Sequence, residues 1–176
     1  MKMPENFQHR VVFCSTPQPF NPSTFQLFNY LYRMYQKDYI LRMIEMLGDL
    51  LTAIFGLIKK GDYHKAGENL DRIYYNMLKE DATFFRSIPK EDLTHKLLEE
   101  HNYTNGHLEI LAELFNAEAE LAGAKGDSKG CLVYSEKSLL LFEFIDLKQK
   151  TLSMERLDKM SSIRNRIEKL TERGSE

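Results

Sequence analysis

Apolar residues recur at intervals of three and four positions over most of the chain after residue 38, which is the spacing of one face of an α-helix. The clearest series runs over about five turns and consists of Ile40, Met43, Ile44, Leu47, Leu50, Leu51, Ile54 and Ile58. Asp38 precedes this series and is predicted to cap the first turn of the helix. Tyr39, Met46 and Leu57 widen the apolar stripe, so we expect this helix to be buried on two sides.

Five further segments have the same period. They are predicted to span residues 62 to 78, 89 to 101, 108 to 126, 127 to 147 and 153 to 171. The strongest inward-facing positions are Ala66, Leu70, Ile73 and Met77 in the first of these segments, and Met160, Ile163, Ile167 and Leu170 in the last. The alternation typical of β-strands is absent. The pattern therefore predicts an all-α fold, an antiparallel stack of αα-hairpins with five to seven helices.

The tripeptide Lys-Gly-Asp occurs twice between predicted helices, at residues 60–62 and 125–127. In both places the glycine can adopt the left-handed conformation that ends one helix, and the aspartate can cap the next one. Four residues after each aspartate a small side chain allows the two helices of the hairpin to approach closely. The predicted turn residues are Gly61, Asp62, Ala66, Gly126, Asp127 and Cys131.

Residues 60–66 and 125–139 resemble the inter-helix turn and second helix of tetratricopeptide (TPR) repeats. The second segment is the fuller match, with Cys131, Tyr134 and Ser138 at the family's small, aromatic and small positions. The segment from Tyr35 into the first hairpin is also similar to the opening of an uncharacterised bacterial family of short TPR-like proteins. This resemblance implies a degenerate TPR-like right-handed superhelix over residues 34 to 172, and TPR grooves commonly bind extended peptides.

The first 33 residues contain four of the five prolines, and no glycine precedes Gly48. Members of the similar bacterial family would begin near Met34. Two alternatives are therefore open for residues 1–33. They are an irregular leader that results from a start codon placed too early, or they include a genuine extra helix from Ser23 to Tyr35.

Composition narrows the function classes. The 24 Lys and Arg residues nearly balance the 26 Asp and Glu residues, which argues against a nucleic-acid-binding protein. Cys14 and Cys131 form no disulfide or zinc pattern, so a cytoplasmic location is expected. The longest strongly apolar run, from Leu50 to Ile58, is far shorter than the ~20 residues of a membrane-spanning helix, and we expect no membrane association.

Motifs for catalysis are missing: the chain has no phosphate-binding loop, no HExxH and no nucleophile elbow. His101 and His107 with nearby glutamates form the densest group of potential ligands, but their six-residue spacing does not place both histidines on one helical face. We therefore expect no metal, no cofactor and no enzymatic activity.

The charge is unevenly distributed. Residues 91–124 carry eight carboxylates and one lysine, whereas residues 147–173 carry eight basic and four acidic side chains. Glu109, Glu113, Asn116 and Glu120 recur at spacings of four, three and four and form one stripe. In a TPR register Glu113, Asn116 and Glu120 would face the concave groove, which would then favour a basic peptide. Two alternatives are an ordinary solvated helix face and intramolecular docking of the basic terminal helix.

The predicted function is non-enzymatic protein or peptide binding through this acidic groove. One alternative is a small all-helical enzyme or small-molecule sensor that uses the polar residues between the hairpins. A deep pocket in which His101, His107 and Glu109 converge would favour the enzyme. Another is a homodimeric structural protein in which the seam from Met160 to Leu170 pairs with a second copy.

Overall fold

The computed structural model describes residues 22–149 and 153–173. These ranges contain seven α-helices and no strand, so the predicted all-α fold with five to seven helices is confirmed. The helices are α1 (Pro22–Lys59), α2 (Tyr63–Leu78), α3 (Ala82–Ser87), α4 (Leu93–His95), α5 (Asn105–Ala124), α6 (Ser128–Gln149) and α7 (Met154–Arg173). None of the helices in the described ranges is long and apolar enough to cross a membrane.

Helix α1 continues without a break through the position where the sequence predicts a helix start. The predicted cap at Asp38 is therefore wrong, since this residue lies inside α1. The physical reason is that no proline follows Pro22 within α1 and nothing else ends a helix before Lys59. Contacts divide the chain into two units, Met1–Gln36 and Lys37–Glu176. The predicted leader lies outside the described residues up to residue 21, and it is helical from Pro22.

The core of the second unit lies between α1, α2, α5, α6 and α7. Its largest fully buried side chains include Tyr74, Phe85, Phe115 and Phe142. The rings of Tyr74 and Phe85 stack with centroids 5.6 Å apart. The four positions predicted to face inward on α2 are all buried. Burial of each large apolar side chain contributes about 1.5–3 kcal/mol, so this cluster provides much of the driving force for folding.

The region between α2 and α5 is less regular than the sequence predicts. The single helix expected after Pro89 is a 3₁₀ turn (Lys90–Asp92), the short α4 and a π-helical turn (Lys96–Glu100). The apolar side chains Leu93 and Leu97 of this segment are nevertheless buried. Helix α3 was not predicted, because six residues with only two buried side chains show no periodicity. The Tyr103 hydroxyl donates a hydrogen bond to the Leu78 carbonyl oxygen (2.8 Å) and ties this region to α2.

The two Lys-Gly-Asp turns connect α1 to α2 and α5 to α6. Gly61 and Gly126 have φ angles of 77° and 81°, in the left-handed region that a residue with a β-carbon rarely adopts. Asp62 Oδ1 accepts a hydrogen bond from the backbone N–H of Lys65 (3.4 Å), and Asp127 Oδ1 accepts one from the backbone N–H of Gly130 (2.9 Å). Both small residues after the turns, Ala66 and Cys131, are buried.

Helices α5 and α6 form an antiparallel hairpin, and α7 returns alongside both. The Ser138 hydroxyl donates to the Ala112 carbonyl oxygen (2.8 Å), which fixes α6 against α5 at a buried position. Met160 and Ile163 bury their side chains in the shared core. In the side-chain contacts between α5 and α7, later residues of α5 meet later residues of α7. These two helices therefore run parallel, and α6 is antiparallel to both.

Candidate binding surface on α5

The acidic stripe of α5, consisting of Glu109, Glu113, Asn116 and Glu120, lies beside the buried face of this helix. The side chains of Glu109 and Glu113 are only 23% and 15% exposed, whereas that of Glu120 is 46% exposed. Its first two carboxylates are therefore not an ordinary solvated face. They are covered by another part of the same chain.

The covering element is α7, whose basic side chains follow the stripe along its length. Arg156 Nη2 donates to Glu109 Oε1 (2.8 Å), and Lys159 Nζ donates to Glu113 Oε1 (2.6 Å). Arg166 reaches both remaining members of the stripe, with Nη1 3.1 Å from Asn116 Oδ1 and Nη2 bonded to Glu120. These contacts are the ones that intramolecular docking of the terminal helix predicts.

Arg156 is the most buried cation of this interface, with its side chain 8% exposed. Its second terminal nitrogen, Nη1, donates to Asp146 Oδ1 on α6 (2.5 Å), so one guanidinium joins α5, α6 and α7. Burial lowers its pKa, but the hydrogen bonds that it donates to the carboxylates of Glu109 and Asp146, together with their negative charges, outweigh that effect, and the pKa is raised overall. Arg156 therefore stays charged and keeps the three helices together electrostatically.

Lys159 is also paired with two carboxylates, those of Glu113 and Glu155. Burial lowers the pKa of its ammonium group, but the hydrogen bonds and charges of Glu113 and Glu155 raise it more, and the net direction is upward. Half-buried ion pairs of this kind are less screened by solvent than exposed ones. The acidic stripe is thus paired with the cations of α7 along its length.

A cleft of about 360 Å³ lies beside these ion pairs, between α1, α5 and α7. It is lined by apolar side chains from α1 and α7 and by polar groups from all three helices. The lining residues are Phe55, Ile58, Lys59, Asn116, Glu120, Lys159, Ser162, Ile163 and Arg166. Asn116, Glu120, Lys159 and Arg166 therefore belong both to the ion pairs and to the cleft.

The histidines that the sequence singled out lie elsewhere. His107 Nδ1 accepts a hydrogen bond from the backbone N–H of Thr104 (3.2 Å) at the start of α5, and burial lowers the pKa of its ring. His101 is exposed and packs against Phe84, with ring centroids 4.9 Å apart. Glu109 faces Arg156. Among the described residues no group of three or more His, Cys, Asp or Glu side chains could hold a metal ion.

A second cluster of charges, between α2, α3 and α5, was not anticipated. Glu118 is 6% exposed and accepts hydrogen bonds from Nε (3.0 Å) and Nη2 of Arg86, which also donates to Asp71 (2.7 Å). Burial raises the pKa of Glu118, and Arg86 acts in the opposite direction. The burial of Glu118 has one signal in the sequence. Glu118 lies three residues after Phe115 and seven after Leu111, which places it on the apolar face of α5.

Lys137 is a further buried charge that sequence periodicity did not reveal. It is 4% exposed, its Nζ donates to the Arg86 carbonyl oxygen (2.9 Å), and burial lowers its pKa. The ammonium group also lies 5.3 Å from the centre of the Phe115 ring. Lys137 therefore joins α6 to α3 and not to the acidic stripe.

Comparison with known proteins gives no match to a family model, to a curated protein or to a solved structure. The class of the protein is therefore defined by its own architecture. It is an all-α protein in which an acidic surface of one helix is covered by a basic helix of the same chain.

Proposed function

We propose that this chain is a non-enzymatic scaffold that binds a protein or peptide, and that its acidic stripe accepts a basic helix of the partner in exchange for α7. The observation that carries the proposal is the set of contacts from Arg156, Lys159 and Arg166 to the stripe. These contacts are an intramolecular example of the recognition that a partner would use. A TPR-like groove, which the turn motifs lead us to expect, would lie on the same surface.

The residues of α7 that contact the stripe indicate which properties a partner helix would need. Between Lys159 and Arg166, which lie seven residues apart, α7 carries the buried apolar residues Met160 and Ile163. A competing helix needs cations at similar spacing and apolar residues on the same face, as in other helix-in-groove complexes. A tethered helix acts at an effective concentration of the order of mM. A natural partner must therefore bind more tightly than α7 or add contacts outside the stripe.

The experiment opens the interface and supplies the basic helix in trans. The full-length variant Lys159→Glu/Arg166→Glu replaces both cations with carboxylates that repel the stripe. A fluorescent peptide of residues 153–173 is the probe, and fluorescence anisotropy measures its binding. We expect the opened variant to bind the peptide and the wild type to bind it at least about tenfold more weakly, because its own α7 occupies the stripe.

Controls separate the stripe from general charge effects. Adding Glu113→Gln/Glu120→Gln to the opened variant removes the carboxylates and should abolish peptide binding. Adding Glu68→Gln, which changes an exposed carboxylate on α2, should leave binding intact. The proposal fails if the opened, folded variant does not bind the peptide. It also fails if Glu113→Gln/Glu120→Gln and Glu68→Gln change peptide binding equally.

The cleft supports a second candidate function, a small-molecule sensor. Its volume falls within the range of small-molecule sites, ~300–1,000 Å³, and Lys59 at its edge is exposed and has no ion pair among the described residues. A small carboxylate is the ligand that such a cation would favour. A thermal shift produced by small carboxylates in the wild type, and lost in Lys59→Ala, would support this function.

The alternative of pairing between copies through α7 uses side chains that are already packed. Met160 and Ile163 are buried within the chain, and Ile167 and Leu170 are half-buried. A dimer through this seam would first have to release α7.

A further inference from the structure

Helix α1 carries an apolar stripe that the rest of the described chain leaves exposed. Tyr39 and Met46 are 51% and 52% exposed, Leu50 is 37% exposed, and Ala53 is also exposed. The sequence predicts burial of α1 on this second side, so the exposure of Tyr39 and Met46 contradicts the expectation for a single copy. The four residues follow one face at spacings of seven, four and three, over about 21 Å of helix. We refer to them as the α1 stripe.

Two opposite charges lie along one edge of the α1 stripe. Arg42 and Asp49 are both exposed, and neither has an ion pair among the described residues. They lie seven residues apart, about 10 Å along the helix axis, which is too far for a salt bridge within one helix. Each charge is therefore available to a group beyond the described residues.

We propose that the α1 stripe is an interface between two copies of this chain, in which the two α1 helices pack antiparallel about a two-fold axis near Met46. In an antiparallel helix pair the same edge of each helix meets. Arg42 of each copy then lies opposite Asp49 of the other, because these residues are placed symmetrically about the axis. A single two-fold rotation therefore forms two ion pairs, as an isologous interface requires.

Size complementarity supports the same register. The rotation that pairs the charges brings the large Tyr39 of one copy against the small Ala53 of the other, and this contact also occurs twice. Met46 meets its own counterpart at the axis, where an unbranched side chain adapts readily. A different partner would need a charge pattern that copies this one, whereas a second copy carries it already. This surface lies on α1, and its use does not depend on the function proposed for the acidic stripe.

The first test is the mass of the full-length protein in solution. We expect analytical ultracentrifugation to show a reversible dimer, with twice the 20.7 kDa of the chain. Met46→Glu places two carboxylates at the axis and should give a folded monomer. Val133→Glu is the matched control, since Val133 is an exposed apolar residue on α6 (48%) and its change should leave the dimer intact. Circular dichroism confirms that both variants are folded.

The second test is specific to the two-fold arrangement. Arg42→Glu makes both edge residues acidic and Asp49→Lys makes both basic, so each variant alone should dimerise about tenfold more weakly, because like charges meet twice. A mixture of the two variants should form a one-to-one heterodimer, and the double variant Arg42→Glu/Asp49→Lys should form a homodimer again.

Several results would overturn the proposal. One is a wild-type monomer at every concentration, which is also the outcome if residues 1–21 cover the α1 stripe within the same chain. A dimer that survives Met46→Glu would place the interface elsewhere. A mixture of Arg42→Glu and Asp49→Lys that dimerises no better than either variant alone would exclude the antiparallel pairing.

Discussion

The buried ion pair between Arg86 and Glu118 allows the stability of the core to be tested quantitatively. Arg86→Met keeps an unbranched side chain of similar length but removes both donors to Glu118. The Glu118 side chain is 7% exposed, and no other residue of the described ranges donates a hydrogen bond to it. Removal of one partner of a buried pair costs about 3–5 kcal/mol. The lower end applies here, because the Arg86 side chain is 27% exposed.

The stability lost in Arg86→Met should depend on pH. Burial raises the pKa of Glu118, and loss of Arg86 removes the charge that opposes this shift, so the folded-state pKa rises further above the unfolded value of about 4.3. When the pKa of a carboxyl group is higher in the folded state than in the unfolded state, its ionisation destabilises the fold. This loss of stability is complete above the folded-state pKa and disappears as the pH falls below the unfolded-state pKa. Arg86→Met should therefore cost more at pH 7.5 than at pH 5.

Urea unfolding followed by circular dichroism measures both effects. Arg164→Met is the matched control, because the Arg164–Glu143 pair (2.8 Å) has both side chains about half exposed, and its loss should cost less than about 1 kcal/mol. The double variant Arg86→Met/Glu118→Gln should recover much of the stability. A cost for Arg86→Met below 1 kcal/mol, equal costs at the two pH values, or no recovery in the double variant would refute the reasoning.

Two further predictions concern helix ends. His107 accepts a hydrogen bond at Nδ1, and burial lowers the pKa of its ring. Protonation of His107 therefore opposes folding, and the stability of the protein should fall as the pH drops below about 6.5. Thermal melts from pH 7.5 to 5.5 should show a smaller fall in the melting temperature of His107→Gln than in that of the wild type. Gly126→Ala should destabilise the α5–α6 hairpin by about 1–2 kcal/mol because φ is 81°, whereas Gly67→Ala, inside α2, should be neutral or stabilising in the same melts; equal effects would contradict the role of the left-handed turn.

Much of the local architecture could be predicted from the sequence. The Lys-Gly-Asp turns and the apolar period of α2 are set by neighbouring residues, since a left-handed glycine and a three-to-four spacing are local properties. The start of α1 could not be predicted in this way. Asp38 has the side chain of a cap, but a cap forms only where the preceding residues leave the helix, and here they continue it.

The candidate site was predictable only in part. The acidic stripe and the basic character of α7 are visible in the charge pattern, and their pairing was one of three alternatives. Which carboxylate meets which cation depends on how α7 lies against α5, and that is a tertiary property. The burial of Glu118 is another case, because its partner Arg86 lies 32 residues earlier on a six-residue helix that has no periodic signal.

The acidic stripe of α5 holds α7 through ion pairs, and on this basis we propose that it is a surface for basic helices. Hydrogen exchange of the backbone amides of α7 tests it most directly, in the wild type and in Glu113→Lys/Glu120→Lys. Reversing these charges removes two ion pairs and adds repulsion from Lys159 and Arg166. We predict about tenfold faster exchange along α7, with exchange in α2 unchanged. Unchanged exchange in α7, or an equal increase in α2, would contradict the claim.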